Sequence, residues 1–441
     1  MRFRRRARVL SGRARLVQIA VVVTRHGAAD ALATVTGWAR RMAGRGGGVA
    51  PVARRSVEVR RALEELGVTF VKLGQVLSTR ADLVPPELAR ELGRLQDDAP
   101  PEPPGVVAAV IERELGRPPE EVFASFGPEP IAAASIGQAH GAVLHDGRAV
   151  VVKVRRPWAV QQVDVDLAIL ARLARAAARI SRLARRYDVE GLVGVFSSTL
   201  RQELDYRAEA AHAARFARMF EGDADVHIPA VVPEASTGAV LTLELVTGTK
   251  INDVAALDAA GIDRPAVARR AANTVLRMVF DHGFFHADLH PGNVFVQPDG
   301  SLALIDFGMV GTIDPALGAT LVQALTAMVA RDGTRLVDAV VALGVAGGDT
   351  DRRALEADLL VFAERELDRP LGEVSVASLL AAVLSIARRH RLVLPLDLAL
   401  LARAMAVCEG VGAQLDPSFR LVTALVPYLA GYTRGQEGAE R

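Results

Sequence analysis

The sequence predicts an α+β fold in which a small block of strands is set within a mainly helical chain. Three observations carry that expectation. Residues 149–154 (AVVVKV) and 239–246 (AVLTLELV) are short apolar runs rich in valine and leucine, of the kind that form buried strands. Between them lie two long stretches, 164–186 and 191–221, in which apolar residues return at helical spacing. Beyond Asn252 the pattern is mainly helical, apart from two short strand-like runs at 294–296 and 302–305 joined by the turn QPDG at 297–300.

The elements follow in order. Residues 1–55 form a basic arm (Arg2, Arg4, Arg5, Arg6, Arg8, Arg13, Arg15) that ends in the glycine-rich linker 43–50. Its apolar stretch 16–23 is broken by Thr24-Arg25-His26, so it reads as a solvated tail, as an arm lying on anionic lipid, or as a weak signal peptide. Residues 56–130 form a helical extension. Pro85-Pro86 open a new helix there, Leu88, Leu92 and Leu95 share one face, and PPEPP at 100–104 closes the unit. A short helix over 106–115 and a helical turn after Pro118-Pro119 complete it. A β-containing lobe is expected over 131–250, a helical lobe over 251–434 and a polar tail over 435–441.

Composition narrows the function. A chain of 441 residues that is 50% hydrophobic and 24% charged is neither disordered nor fibrous. With 53 basic and 51 acidic residues the net charge is +2, which offers no electrostatic footprint for nucleic acid. Cys408 is the only cysteine, which excludes an intramolecular disulfide and a cysteine metal cluster and suits a reducing, cytoplasmic setting. No apolar run approaches the roughly 20 residues a bilayer helix needs. Of the 53 basic residues only Lys72, Lys153 and Lys250 are lysine. A compact ammonium suits a point contact with phosphate oxygens, so each lysine in an arginine-writing chain is a candidate binding residue.

The strongest local signal is HADLHPGN at 286–293, followed by the short hairpin and by DFG at 306–308. Phosphoryl transfer from ATP needs a carboxylate to orient the acceptor, and an amide oxygen plus a second carboxylate to hold Mg²⁺ on the phosphates. Asp288, Asn293 and Asp306 supply these at protein-kinase spacing, with His286 bracing the loop. A competing reading takes His282, His286 and His290 as a zinc-binding helix face, although Gly283 and Pro291 suit a helix poorly.

Upstream, Lys153 on an apolar strand requires an anionic partner. Glu203 and Asp205 lie nearby on a helical pattern, about 200° apart around it, so only one of them can face Lys153. Where a nucleotide-binding lobe normally has a glycine-rich loop, residues 131–140 (IAAASIGQAH) are alanine-rich, and composition alone makes them a helix start. Lys72 and Gln75 share one face of an otherwise apolar helix, which points either to a functional role or to snorkelling at a helix edge.

Together these segments resemble the UbiB/AarF family of atypical kinases over about residues 56–320: FVKLGQVLSTRADLVPPEL for its KxGQ signature, IAAASIGQAH for its alanine-rich loop, VVVKVRRP, QELDYRAEAA, FFHADLHPGN and LIDFGMVG. The resemblance implies a bilobal, protein-kinase-like α+β fold with an added N-terminal helical extension. It implies that Lys153 grips ATP phosphate with Glu203 as its ion-pair partner, that Asp288 is the catalytic aspartate, and that Asn293 and Asp306 hold Mg²⁺. Ala133, Ala134, Ser135 and Ile136, with Glu244 and Val246 at the hinge strand, would contact the nucleotide. Lys72 and Gln75 would fold over the active site. Independently of the resemblance, Lys72 is expected to reach into the cleft towards Asp205. Such kinases are linked to isoprenoid-quinone and lipid metabolism, so the acceptor would be a small molecule or lipid.

Only MVGTIDPALG separates DFG from the next helix and no APE tripeptide follows, leaving little room for a peptide-binding activation segment. Ala287 stands where protein kinases of this loop carry arginine, removing the cation that a phosphorylated loop would pair with. An arginine stripe (Arg172, Arg175, Arg179, Arg182, Arg186) backed by Leu170, Leu173, Ala177, Ile180 and Ala184 suggests contact with an anionic membrane at its inner face, or simply a solvated helix packed on the core. Two other functions remain open: a soluble small-molecule phosphotransferase of the aminoglycoside-kinase type, whose HGDxHxxN loop is close to HADLHPGN, and a non-catalytic, nucleotide-gated scaffold.

Overall fold

The computed structural model describes residues 11–27, 49–80, 84–95, 99–186, 188–330, 332–343, 351–367, 373–390, 392, 395–425 and 428. Arg2, Arg4, Arg5, Arg6 and Arg8, positions 43–48 of the linker and the tail 435–441 lie outside the described residues.

The chain begins with helices α1 (Gly12–Arg25), α2 (Val49–Leu66), α3 (Val68–Thr79), α4 (Pro86–Leu92), α5 (Pro104–Leu115) and the single turn α6 (Pro119–Val122). Pro86, Pro104 and Pro119 each open their helix, where a missing N–H costs nothing. Strands β1 (Ser125–Ala133), β2 (Gly137–Val143) and β3 (Ala149–Arg155) follow, then α7 (Ala159–Ile180), α8 (Arg182–Arg186), α9 (Val189–Glu203) and α10 (Tyr206–Met219). Next come β4 (Val226–His227), β5 (Val240–Glu244), β6 (Thr249–Lys250), α11 (Val254–Ala259) and α12 (Arg264–Leu276). The remaining elements are β7 (Phe284–His286), β8 (Val294–Val296), β9 (Leu302–Leu304), β10 (Val310–Thr312), α13 (Pro315–Val329), α14 (Gly333–Leu343), α15 (Arg352–Leu367), α16 (Val376–Arg389) and α17 (Leu396–Leu415). No helix among the described residues is long and apolar enough to cross a membrane.

Two compact units emerge. The first takes Met1–Ala211 and Val231–Leu245, the second His212–Ala230 and Val246–Arg441.

In the first unit β1, β2, β3 and β5 form an antiparallel sheet in that order. Val107, Val110 and Ile111 of α5 pack against Val150, Val152 and Val154 of β3, which alternate with less buried neighbours as a half-buried strand should. The helical extension is organised by α3. Its Val68 packs with α7 and α9, its Phe70 with α1 and α2, and its Val71 with Leu88 and Leu92 of α4. Gly74 permits this closeness: a Cβ there would come 2.9 Å from Leu63 Cδ1 and also overlap Leu95.

Four expectations are corrected here. Residues 131–140 are no helix start but a strand–turn–strand, with Ala132 opposite Ala139 and Ala133 opposite Gln138; the sheet ladder outweighs alanine's modest helix preference. The stretch 191–221 is two helices, broken at Leu204-Asp205. Arg15 of the basic arm is neither solvated nor on lipid: it is buried in a bidentate ion pair with Asp166 of α7, at 2.7 and 2.9 Å. The backing of the arginine stripe is not all core, since Leu173 is 48% and Ile180 88% exposed; the buried face of α7 runs through Val163, Asp166, Leu167 and Ile169 and ends at Ala174.

In the second unit β4, β9, β8 and β6 form a small sheet, and the expected hairpin is β8–β9. The sequence did not suggest β7 and β10, a three-residue antiparallel pair. Phe284, His286 and Phe307 cluster around Phe216, with ring centroids 4.9–6.1 Å from it. Helix α17, buried along most of its length, runs beside α12.

Candidate active site

The first unit holds two lysine–glutamate pairs. Lys153 Nζ lies 2.5 Å from Glu209 Oε1, and Lys72 Nζ 3.0 Å from Glu203 Oε2. All four side chains are mostly buried, where a charge-assisted contact is least screened by water. Glu203 is therefore the partner of Lys72, and Glu209 that of Lys153, against the expectation that Glu203 serves Lys153. The cause is the break at Leu204-Asp205. Glu203 ends α9, while a new helix places Glu209 in its first turn, where the helix dipole favours a carboxylate. Lys72 accordingly reaches Glu203 and not Asp205. Asp205 Oδ1 instead accepts the backbone N–H of Arg207 at 3.1 Å. Gln75 Nε2 donates to the carbonyl of Leu95 at 3.3 Å. Lys250, without a role in the sequence reading, is exposed on β6.

The alanine-rich turn is a tethered structure. Ala134 N–H donates to Gly137 O at 2.8 Å, which closes the turn. Arg156, almost fully buried, donates from Nε to Ala134 O (2.9 Å), from Nη1 to Glu102 Oε1 (2.9 Å) and from Nη2 to Pro100 O (2.8 Å), and its backbone N–H reaches Ile136 O (2.8 Å). Gly137 is required at the turn's exit, because a Cβ there would lie 2.8 Å from Val154 O and overlap the Tyr206 hydroxyl. Ala133, Ala134, Ser135 and Ile136 thus occupy a turn held by a buried guanidinium rather than a free loop. Glu244 ends β5 opposite Val150, and Val246 lies two residues beyond it.

In the second unit the loop after β7 carries the catalytic candidates. His286 is fully buried; its Nδ1 accepts the Asp288 N–H at 3.2 Å, so Nε2 carries the proton and faces Ile305 O at 3.2 Å. Burial holds its pKa below the ordinary histidine value, and the imidazole is a neutral brace. Asn293 Nδ2 donates to Asp288 O at 3.0 Å, and Ile305 N–H donates to Asn293 O at 3.0 Å. These bonds join the loop to the segment bearing Asp306. Asp306 sits at φ 63°, an uncommon conformation for a residue with a side chain and one that clusters at functional sites. An amide whose nitrogen is committed and a carboxylate are hard oxygen donors of the kind magnesium prefers, so Asn293 and Asp306 fit that ion.

The zinc reading fails. His286 is committed at both ring nitrogens, and His290 Nδ1 caps Gly292 N–H at 3.0 Å. Among the described residues no three His, Cys, Asp or Glu side chains are grouped to hold a metal ion.

Sequence reasoning missed Glu209, Arg156 and Arg403. Arg403 Nη2, on α17, donates to Asp288 Oδ1 at 2.9 Å. A lone arginine inside LALLARAMAVC is the same signal that singled out Lys153 on its strand, an isolated cation among apolar residues.

Comparison with known proteins places the chain by family and fold. The ABC1 atypical kinase-like domain matches residues 94–340, and the UbiB helical domain matches residues 359–420. The uncharacterised protein sll1770 of Synechocystis is 37% identical over 376 residues, which are 85% of this chain and 64% of that protein. A probable protein kinase UbiB of Marinobacter nauticus is 36% identical over 392 residues, 88% of this chain and 72% of its own length. Among solved structures, the Rv3197–erythromycin complex from Mycobacterium tuberculosis is similar at a TM-score of 0.51 and 25% identity, covering 79% of this chain and 95% of that one. The α+β, kinase-like fold class predicted from the sequence holds.

Proposed function

The chain belongs to the ABC1/UbiB family of atypical kinases, and from that premise we propose that it is a magnesium-dependent, ATP-binding phosphotransferase or ATPase acting on a small molecule or lipid of isoprenoid-quinone or lipid metabolism. The observation that carries this reading is the Lys153–Glu209 ion pair, since a strand lysine held by a helix glutamate is what positions ATP phosphates in protein kinases. Lys153 orients the phosphates, and the tethered turn over Ala133, Ala134, Ser135 and Ile136 lies against the nucleotide, with Glu244 and Val246 at the hinge strand. Asn293 and Asp306 hold Mg²⁺, which when bound neutralises charge on the transferring phosphoryl group. Asp288 orients the acceptor hydroxyl or a water. Catalysis is then mostly positioning and electrostatics, as expected for a loose transition state.

Two features favour a non-protein acceptor. After Gly308 the chain enters β10 within two residues and α13 begins at Pro315, which leaves no extended platform for a peptide. In the helical extension, Lys72 and Gln75 lie on a helix locked into three hydrophobic clusters, an addition that soluble small-molecule phosphotransferases of the aminoglycoside type do not need. A peripheral position on an anionic membrane face is consistent with the exposed arginines of α7 beside exposed Leu173 and Ile180.

The test is ATP hydrolysis by wild type and Asp306→Asn, with and without anionic vesicles and a prenylated phenol. The expected result is turnover that needs magnesium, rises with vesicles or phenol, and is lost in Asp306→Asn without a change in circular dichroism. Wild-type turnover in the variant would remove the metal assignment, and indifference to both additions would favour the soluble phosphotransferase.

A further inference from the structure

Helix α17 meets the catalytic loop and the neighbouring strand β10 at three points along its length. Asp397, in its first turn, accepts the N–H of Thr312 on β10 at 3.0 Å. Cys408 and Val411, further along, line a small apolar cavity with Leu289, the residue directly after Asp288. Between them Arg403 donates from Nη2 to Asp288 Oδ1. Its neighbours Leu400, Leu401, Ala402, Ala404 and Met405 are all buried, so the backbone that carries Arg403 is fixed by packing. The Arg403 side chain is 33% exposed and that of its aspartate partner 28%. Among the described residues the Arg403 side chain bonds to Asp288 alone.

We propose that Arg403 is the positioning residue of the catalytic loop. By holding Oδ1 of Asp288 it fixes the carboxylate, so that Oδ2 is presented to the acceptor hydroxyl or water. The proposal rests on the reading of Asp288 given above and extends it, because the aim of that carboxylate then depends on a C-terminal helix more than 100 residues downstream. The loop alone is braced at its backbone by His286 and Asn293, and neither of them touches the carboxylate oxygens. A guanidinium N–H anchored on a rigid helix supplies that missing restraint at Oδ1, and a small misplacement of an orienting group is costly in rate.

The test compares the full wild-type chain with Arg403→Gln and Arg403→Lys in magnesium-dependent ATP hydrolysis. Arg403→Gln should lose about 10–100-fold in kcat while KM for ATP stays within about twofold. Its thermal midpoint should stay within a few degrees, and Arg403→Lys, which keeps the charge without the guanidinium, should recover part of the loss. Wild-type kcat in Arg403→Gln overturns the proposal. So does a loss confined to KM or thermal stability, or one that Arg403→Lys does not relieve. Amide hydrogen exchange over residues 286–293 needs no turnover and should quicken several-fold in Arg403→Gln; unchanged exchange also overturns the proposal. If the wild-type chain does not bind Mg-nucleotide in calorimetry, the functional reading fails, and the exchange result still decides whether Arg403 orders the loop.

Discussion

Lys153 and Lys72 show how far single residues can be read from the sequence alone. Their rarity among fifty arginines marked them, and both are found in mostly buried ion pairs. Their partners were not legible. Glu203 and Asp205 looked like rival candidates on one helix, and the helix break that gives Lys153 to Glu209 depends on Leu204 entering the core with Phe196 and Leu200. That is a tertiary event without a local turn signal. The assignment has a direct consequence. If Lys153 grips the ATP phosphates as proposed, Glu209→Gln should weaken Mg-ATP binding about tenfold by loosening it, whereas Glu203→Gln, which leaves Lys153 its partner, should cost less than about threefold. Calorimetry on the two variants decides, and the opposite order would return Lys153 to Glu203.

At the level of elements, α1 is the clearest case of structure that its own sequence hides. Its arginines suggested a solvated arm, yet Arg15 bonds Asp166 and the carbonyl of Leu66 (2.6 Å), while Thr69 Oγ1 donates to the same aspartate at 2.8 Å. Asp166 lies 151 positions away and no pattern within α1 announces it. Arg15→Ala would leave a fully buried carboxylate without its cation, a loss of about 3–5 kcal/mol where such pairs are broken. Denaturant unfolding should show a lowered midpoint of that order, and an unchanged midpoint would mean that Asp166 finds another cation or water. The alanine-rich hairpin makes the complementary point. Its composition favours helix, and what overrides it is pairing with β2 together with the Arg156 tether, both supplied from outside the segment.

For the whole molecule, the motifs were more informative than composition. HADLHPGN, DFG and KLGQ each retained a recognisable identity, and the family match extends through the ABC1 and UbiB helical segments. What escaped the sequence lay where distant segments meet, such as Arg403 on Asp288 and β10 on β7. That last pairing has a pharmacological consequence. Val310, Gly311 and Thr312 are zipped to His286, Phe285 and Phe284, and Ala287 N–H donates to Met309 O at 3.1 Å. Phe307 is wholly enclosed directly ahead of this zipper, so swinging its ring outward would strip several ladder bonds from the backbone. Inhibitors that require an inverted DFG phenylalanine should therefore find no purchase on this protein, while adenine mimics that leave the ring inside should displace a fluorescent nucleotide. Tight capture of an inverted-state drug in that competition would show the zipper to be far looser than its geometry implies.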